Sequence, residues 1–441
     1  MKKHYYLWAI VANIACIVIS LLSADISTLR ITSLFQLVIN TYYFLKGNSK
    51  FLSVGVVFFW LLYLFHCSRY VFLEDDGFDM VEGIASMISF RFVICCISAM
   101  CVGLFMTRSA KKAFDVSHSQ VVLSDRDLLL MRKVSTYILI FTIIPFLYVD
   151  ITRLVHTMTI GYGDIYHIGE RDVLFKYFDP ISHLFRPAVL LLMVSYCKKP
   201  KVATIILVIF ISYSLIMMLS GARITALVYI LSIIVIYVRF VLKRIKVSQF
   251  VLISLFTILI LTVLPVLSSM RRLGVSRNDF REATSIVDEA GGNMNAAISE
   301  FGGSQLSVIY SIVYTSDFNY GRTYLASLLC ISPKMPSFLD KTNLTYTQTF
   351  PNDITWGGSC IGEAYYNFGW LSILFFLLVG LLVGKMEYGL CRVSRSNLLT
   401  SIFFITLIPG LFTWVRDFFM IFVFTAFWIP VIFRIFMGAR R

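Results

Sequence analysis

Apolar residues in this chain come in long runs divided by short polar breaks, and the alternation continues almost from end to end. A helix needs about 20 apolar residues to cross a bilayer. By that measure twelve candidate spans can be drawn, at 5–23, 27–45, 51–73, 84–106, 134–155, 181–197, 202–219, 222–240, 248–268, 368–384, 398–413 and 417–436. The second is the most polar, carrying Arg30, Gln36 and Asn40. The pattern predicts an all-α polytopic integral membrane protein of about 12 transmembrane helices. It forms a single membrane domain over 1–441, with residues 269–367 inserted as one large loop between the ninth and tenth spans.

Composition agrees. The 441 residues are 58% hydrophobic, with a mean hydropathy of +0.80, which excludes an ordinary globular domain. Only 15% of residues are charged, yet the formal net charge is +14. In a soluble protein that excess would suggest nucleic acid. Here it is the topological signal of cytoplasmic loops, and no nucleic-acid partner is expected. Met1-Lys2-Lys3-His4 before an apolar run has the look of a signal peptide, but no small-residue cleavage site follows, so an uncleaved first helix is expected.

With the N-terminus placed inside, 23 of the 39 Lys and Arg fall in cytoplasmic segments, and the outer loop 74–83 has none. Both termini are therefore expected in the cytoplasm. Arg69 and Arg91 lie deeper within spans, and of the 14 basic residues left in outer loops or towards the outer ends of spans, 11 are arginine. The guanidinium fork matches phosphate oxygens bidentately and stays charged when partly desolvated, so the bias suits an anionic, lipid-linked substrate. Snorkelling at helix ends accounts for Arg30, Arg153 and Arg186.

The external loop 269–367 is not low-complexity linker. It holds a helix-like stretch near Phe280–Ala290, a Gly291-Gly292 break, an apolar run Leu306–Tyr314 too short to span, and turns at Pro333 and Pro336. An ordered loop of this length is more often functional than not. Its tyrosines, among them Tyr310, Tyr324 and Tyr346, offer faces for stacking on sugars, although tyrosine also belongs at any membrane interface. No CxxC or Cys/His cluster suggests a metal, and Cys330 and Cys360 are a possible disulfide pair whose pairing spacing alone does not fix.

Four external segments carry candidate chemistry. Ser220-Gly221-Ala222-Arg223 is a turn that places Arg223 at a helix start, where backbone N–H groups favour anions. Met270-Arg271-Arg272 follows a span, and Trp414-Val415-Arg416-Asp417 joins the last two. A glycine-rich stretch, Trp356 to Gly369, brings Glu363 to the outer mouth of the tenth span. Each has a purely structural counterpart: Arg271 and Arg272 as helix anchors, Arg416 paired with Asp417, Glu363 as a helix cap. Glu74, Asp75, Asp76 and Asp79 read as a solvated acidic loop rather than a cation site.

These ordered motifs resemble the Wzy O-antigen polymerases, membrane glycosyltransferases that polymerise lipid-linked sugar repeats. The resemblance covers most of the chain: many spans, the Gly-x-Arg turn of Gly221 and Arg223, a large external loop, and a late segment matched by Gly362, Glu363, Tyr365, Asn367, Phe368 and Gly369. It implies a GT-C-like, multi-pass protein of the bacterial inner membrane, its large loop periplasmic, serving lipopolysaccharide biosynthesis. The implied substrate is undecaprenyl-pyrophosphate carrying an oligosaccharide repeat, and the family usually works with a chain-length regulator. The related O-antigen ligases depend on a histidine in their large loop. Residues 269–367 contain none; the external histidines are His156, His167 and His183.

The implied reaction is displacement at an anomeric carbon with lipid pyrophosphate leaving. It needs stabilisation of the departing charge and a base for the attacking hydroxyl. No Asp-x-Asp pair lies externally, so no metal or other cofactor is expected; Arg223, Arg272 and Arg416, with Arg271, are expected to hold the pyrophosphate. Glu363 is the first candidate base and His167 the second. The main rival is a lipid-linked oligosaccharide flippase. Transporters typically show two related halves, and this chain has no internal repeat. An O-antigen ligase ranks third, and a non-catalytic scaffold gives no reason for the arginine bias.

Overall fold

The computed structural model describes residues 2–46, 52–73, 83–110, 123–159, 168, 172–218, 223–242, 292–329, 346–350, 357–391 and 398–438. Every regular element among them is helical. In chain order these are α1 (Lys2–Leu22), α2 (Ile26–Lys46), α3 (Val54–His66), α4 (Ser68–Phe72), α5 (Gly83–Ala110), α6 (Asp125–Thr159), α7 (Val173–Ser182), α8 (Phe185–Ser195) and α9 (Pro200–Met217). There follow α10 (Arg223–Phe240), α11 (Asn293–Gly302), α12 (Ser304–Tyr314), α13 (Arg322–Leu329), α14 (Cys360–Phe368), α15 (Ser372–Cys391), α16 (Leu398–Trp414) and α17 (Phe419–Gly438).

Six helical stretches are long and apolar enough to cross a membrane: Tyr5–Leu22, Ile84–Ala110, Asp125–Thr157, Pro200–Met217, Cys360–Leu390 and Phe419–Phe436. Val54–His66, Thr225–Phe240 and Leu398–Trp414 are shorter apolar helices. The span expected at 248–268 lies outside the described residues. Two expected spans are broken: 51–73 into α3 and α4 at Cys67, and 181–197 at residues 183–184, between α7 and α8. The helices α5 and α6, at 28 and 35 residues, outrun the stretches read from hydropathy. A hydropathy window stops at the first charge, whereas a helix stops at its cap. The α6 start is one, with the Ser124 hydroxyl accepting from the Asp127 N–H at 3.1 Å.

Large apolar side chains face outward, and polar side chains are buried among an apolar interior. Leu374, Leu378 and Leu382, continuing from Leu371 just before the helix, form an exposed stripe along α15 at helical spacing, and Ile140, Phe141, Ile144, Ile151 and Val155 do so along α6. The polar α2 is accommodated because its polar side chains turn inward. Asn40 and Asn13 exchange hydrogen bonds of 2.7 and 3.0 Å, and Gln36 donates to Ser98 and to the Ile94 carbonyl.

The chain divides into two compact units. The first comprises Met1–Ser119, Ile298–Arg392 and Gly410–Phe424. At its centre α5 packs along α15 and α1. The close approach of α5 to α15 depends on Gly380, where an added β-carbon would strike the Met100 carbonyl of α5. Gly380→Leu is expected to cost at least about 1–3 kcal/mol. It would be read as loss of monodisperse protein after detergent extraction.

At one end of this unit Arg108 of α5 meets Glu387 of α15, both nearly fully buried. Their closest approach is 2.8 Å, and the Gly55 N–H donates to the same carboxylate at 2.7 Å. Arg108→Ala would leave that carboxylate uncompensated, at a cost of about 3–5 kcal/mol. Replacing both, Arg108→Met with Glu387→Leu, should recover most of the loss in a thermal melt. The C-termini of α5 and α15 and the N-terminus of α3 therefore share one end.

The second unit comprises Gln120–Ala297, Val393–Pro409 and Thr425–Arg441. Within it α6 packs on α7 and α8, and α9 on α10.

Candidate functional site

At the other end of the first unit, four pieces of chain meet: the end of α3, the short helices α12 and α13, the segment leading into α14, and the turn at 415–418 between α16 and α17. Ser359 caps α14, its hydroxyl accepting from the Gly362 N–H at 3.1 Å. The Ser359 hydroxyl also meets His66 Nε2 at 2.7 Å, while His66 Nδ1 lies 3.0 Å from the Leu62 carbonyl. A carbonyl only accepts, so Nδ1 carries the proton and Nε2 receives the serine's. Tyr346 holds the other side of the cap, accepting from the Ser359 N–H at 3.1 Å and donating to its carbonyl at 3.3 Å. Burial, then the nearby Glu363 carboxyl, push the Tyr346 phenol well above its ordinary pKa, so it keeps the proton it donates.

A β-carbon at Gly362 would lie 2.7 Å from the Tyr346 hydroxyl, so nothing larger fits beneath the tyrosine. Glu363 is fully buried, and its Oε2 accepts from the Phe419 N–H at 2.9 Å. It is thus a helix cap, but of α17 rather than of its own helix. Tyr365 meets Phe92 edge-on at 5.1 Å. Asn367 donates to the Thr323 hydroxyl at 2.6 Å and to the Glu363 carbonyl at 2.8 Å. Phe368 stacks on Tyr324 at 5.9 Å. Gly369 ends the helix at φ +55°, a conformation that other residues rarely adopt, with the Phe318 ring where a side chain would go.

The two oxygens of the Glu363 carboxylate are held unequally. Its Oε1 makes no hydrogen bond of good geometry among the described residues, and the Thr323 hydroxyl and the Trp414 indole are the hydrogen-bonding side chains beside the group. Buried polar atoms are normally paired, and exceptions cluster at sites of function. Arg416 sits on the 415–418 turn directly before the α17 N-terminus that Glu363 caps. Its guanidinium lies 5.6 Å from the centre of the Phe65 ring. Gly357 and Gly358 pass against the backbone of Arg416 and Asp417. The Asp417 carboxylate accepts from the Phe418 N–H at 2.8 Å.

Glu363 and Arg416 are therefore gathered into one corner of the first unit. Arg223 opens α10 in the second unit, but its side chain is outside the described residues, as are Arg271, Arg272 and His167 altogether. The acidic residues 74–79 and Cys330 also lie outside them; Cys360 is a buried free thiol. Sequence reading passed over His66 and Thr323. A single histidine within an apolar run and a single threonine within the segment 269–367, which lies on α13, give little signal until the chain folds.

In the second unit, Arg186 pairs with Asp150 at 3.2 Å, and Tyr213 donates to the same carboxylate at 2.9 Å. Arg153 pairs with Asp179 at 2.7 Å. These arginines are ion-paired, not simply reaching for the membrane surface as their positions suggested. The Tyr148 hydroxyl, donating at 2.6 Å, does most to hold the Asp172 carboxyl below its ordinary pKa.

The family model for the O-antigen polysaccharide polymerase Wzy matches residues 5–438, nearly the full chain. No curated protein and no solved structure gives a significant match. The chain belongs to the O-antigen polysaccharide polymerase Wzy family.

Proposed function

We propose that this membrane polymerase joins undecaprenyl-pyrophosphate-linked oligosaccharide repeat units at the periplasmic face of the inner membrane, with Glu363 as the general base. The observation that carries this reading is the fully buried Glu363 carboxylate, with one oxygen fixed on the Phe419 N–H and the other making no hydrogen bond of good geometry among the described residues, beside Thr323 and Trp414. One oxygen fixes the orientation, and the second is the more loosely held of the two.

The acceptor hydroxyl of an incoming repeat unit attacks the anomeric carbon of the growing chain. A new C–O bond forms as the bond to the lipid pyrophosphate breaks. The pyrophosphate leaves with the electron pair, and the hydroxyl proton passes to Glu363. Arg416 compensates the departing charge, with Arg223, Arg271 and Arg272 as further pyrophosphate contacts. These arginines and the missing external Asp-x-Asp pair support a reaction without metal. His167 stands second to Glu363 as base, and a chain-length regulator is a further partner in this reading.

The test is reconstitution with repeat units on their lipid carrier, with chelator and without nucleotide sugar. A ladder of lipid-linked multiples is expected. No ladder from folded protein and the correct repeat unit, with the unit scrambled across the bilayer instead, would favour a flippase.

A further inference from the structure

Between α12 and α13 the chain holds one tyrosine in a costly backbone conformation and leaves its ring to solvent. Asn319-Tyr320-Gly321-Arg322 is a β-turn, closed by the Arg322 N–H donating to the Asn319 carbonyl at 3.0 Å. Both central residues have positive φ, +46° at Tyr320 and +82° at Gly321. Glycine and asparagine are the residues such turns normally use. Tyr320 is the only non-glycine residue with positive φ among those described, and a bulky side chain there is strained.

The surroundings hold the turn in that state. The Asn319 and Tyr320 N–H groups donate to the Tyr366 and Asn367 carbonyls at 3.1 and 2.9 Å, satisfying the C-terminal end of α14, the helix that carries Glu363. The Phe318 ring fills the side-chain position of Gly369, and a β-carbon at Gly321 would lie 3.3 Å from the Phe368 ring. None of these contacts uses the Tyr320 ring. That ring is 81% exposed, with no ring contact or hydrogen bond among the described residues. Tyr310, Tyr324 and Tyr346 of the same external segment each pack on another ring. Strain imposed on a side chain that the packing does not use points to a use outside the fold.

The neighbours limit what meets the ring. Ser316, Asp317 and Arg322 are exposed on the same short segment, so it faces water rather than acyl chains. A free aromatic face among hydrogen-bonding groups suits a sugar, with its C–H face on the ring and its hydroxyls on the polar side chains. Asn367, which receives the Tyr320 N–H, follows Glu363 by four residues of helix, a rise of about 6 Å. We infer that Tyr320 is a saccharide-stacking residue, whose open ring holds one sugar of the lipid-linked repeat unit away from the bond that reacts. This rests on the repeat unit being handled at the Glu363 corner. It gives Tyr320 a part in binding and none in the displacement.

Tyr320→Asn suits the turn and removes the ring, whereas Tyr320→Phe keeps the face and loses only the hydroxyl. The full-length proteins would be compared by thermal melt, by KM in the polymerisation assay, and by binding of the free repeat-unit oligosaccharide, released from its carrier by mild acid. Tyr320→Asn is expected to melt no lower than wild type, because asparagine takes positive φ more readily than tyrosine. It should bind the oligosaccharide roughly tenfold more weakly, with KM raised by a similar factor. Tyr320→Phe should bind as wild type does. Wild-type binding by Tyr320→Asn would overturn the assignment and leave the ring as an interfacial tyrosine. Equal losses in both variants would overturn it too, since the face alone is assigned the contact, as would a wild-type protein that binds no oligosaccharide. Glu363→Gln separates this from the choice of base. If it still polymerises while Tyr320→Asn binds poorly, the base is wrong and the stacking residue stands. If it is inactive while Tyr320→Asn behaves as wild type, the base stands and the stacking residue falls.

Discussion

Glu363→Gln is expected to stop polymerisation while leaving the protein folded. The amide oxygen of glutamine can still accept from the Phe419 N–H, so the cap on α17 survives. What is lost is the ability to take a proton, and general bases contribute on the order of a hundred- to ten-thousand-fold in rate. Glu363→Ala makes the contrast. It removes the cap as well as the base, and a hydrogen bond to a charged acceptor contributes about 1.5–3 kcal/mol. The alanine variant should therefore lose both activity and thermal stability, and the glutamine variant activity alone. Product ladders and detergent-solubilised melting curves on the two proteins check this. If both melt early and both retain activity, Glu363 is a structural cap and nothing more.

Arg416→Ala is expected to slow polymerisation by roughly a hundredfold, equivalent to about 3 kcal/mol of stabilisation withdrawn from the departing charge. Arg416→Lys should recover little, because an ammonium is a point charge and cannot make the paired, planar contact of a guanidinium. Inhibition by added undecaprenyl pyrophosphate should weaken in parallel, since it bears the same charge. The side chain packs on Phe65, so some loss of stability is expected too. The separating measurement is the inhibition constant for pyrophosphate lipid at a temperature where both variants are folded. An unchanged constant would confine Arg416 to packing.

The two halves of the site were legible to different degrees. The stretch from Gly362 to Gly369 stands out because a short run of glycines and polar residues sits against a long apolar span. Arg416 stands out because arginine between two apolar spans needs a reason. Folding adds the relation between them: Glu363 caps the helix that Arg416 precedes, across 56 residues of sequence. The contact from His66 to Ser359 spans 293 residues, and no local pattern announces it. The helical class was legible because apolar runs of this length have few alternatives. Helix limits were less so, because the caps at Ser124 and Ser359 are set by single hydrogen bonds rather than by hydropathy. The polar α2 shows the same limit, since Gln36 and Asn40 look costly until Ser98 and Asn13 are placed beside them.

The most direct test follows the leaving group. Wild-type protein would be given one round of repeat units on their lipid carrier, and dimeric product and free carrier measured together. One undecaprenyl pyrophosphate released per linkage formed is expected, with neither appearing from Glu363→Gln. Dimer formed at the wild-type rate by Glu363→Gln, or carrier released as monophosphate, would contradict a base-assisted displacement of lipid pyrophosphate at this site.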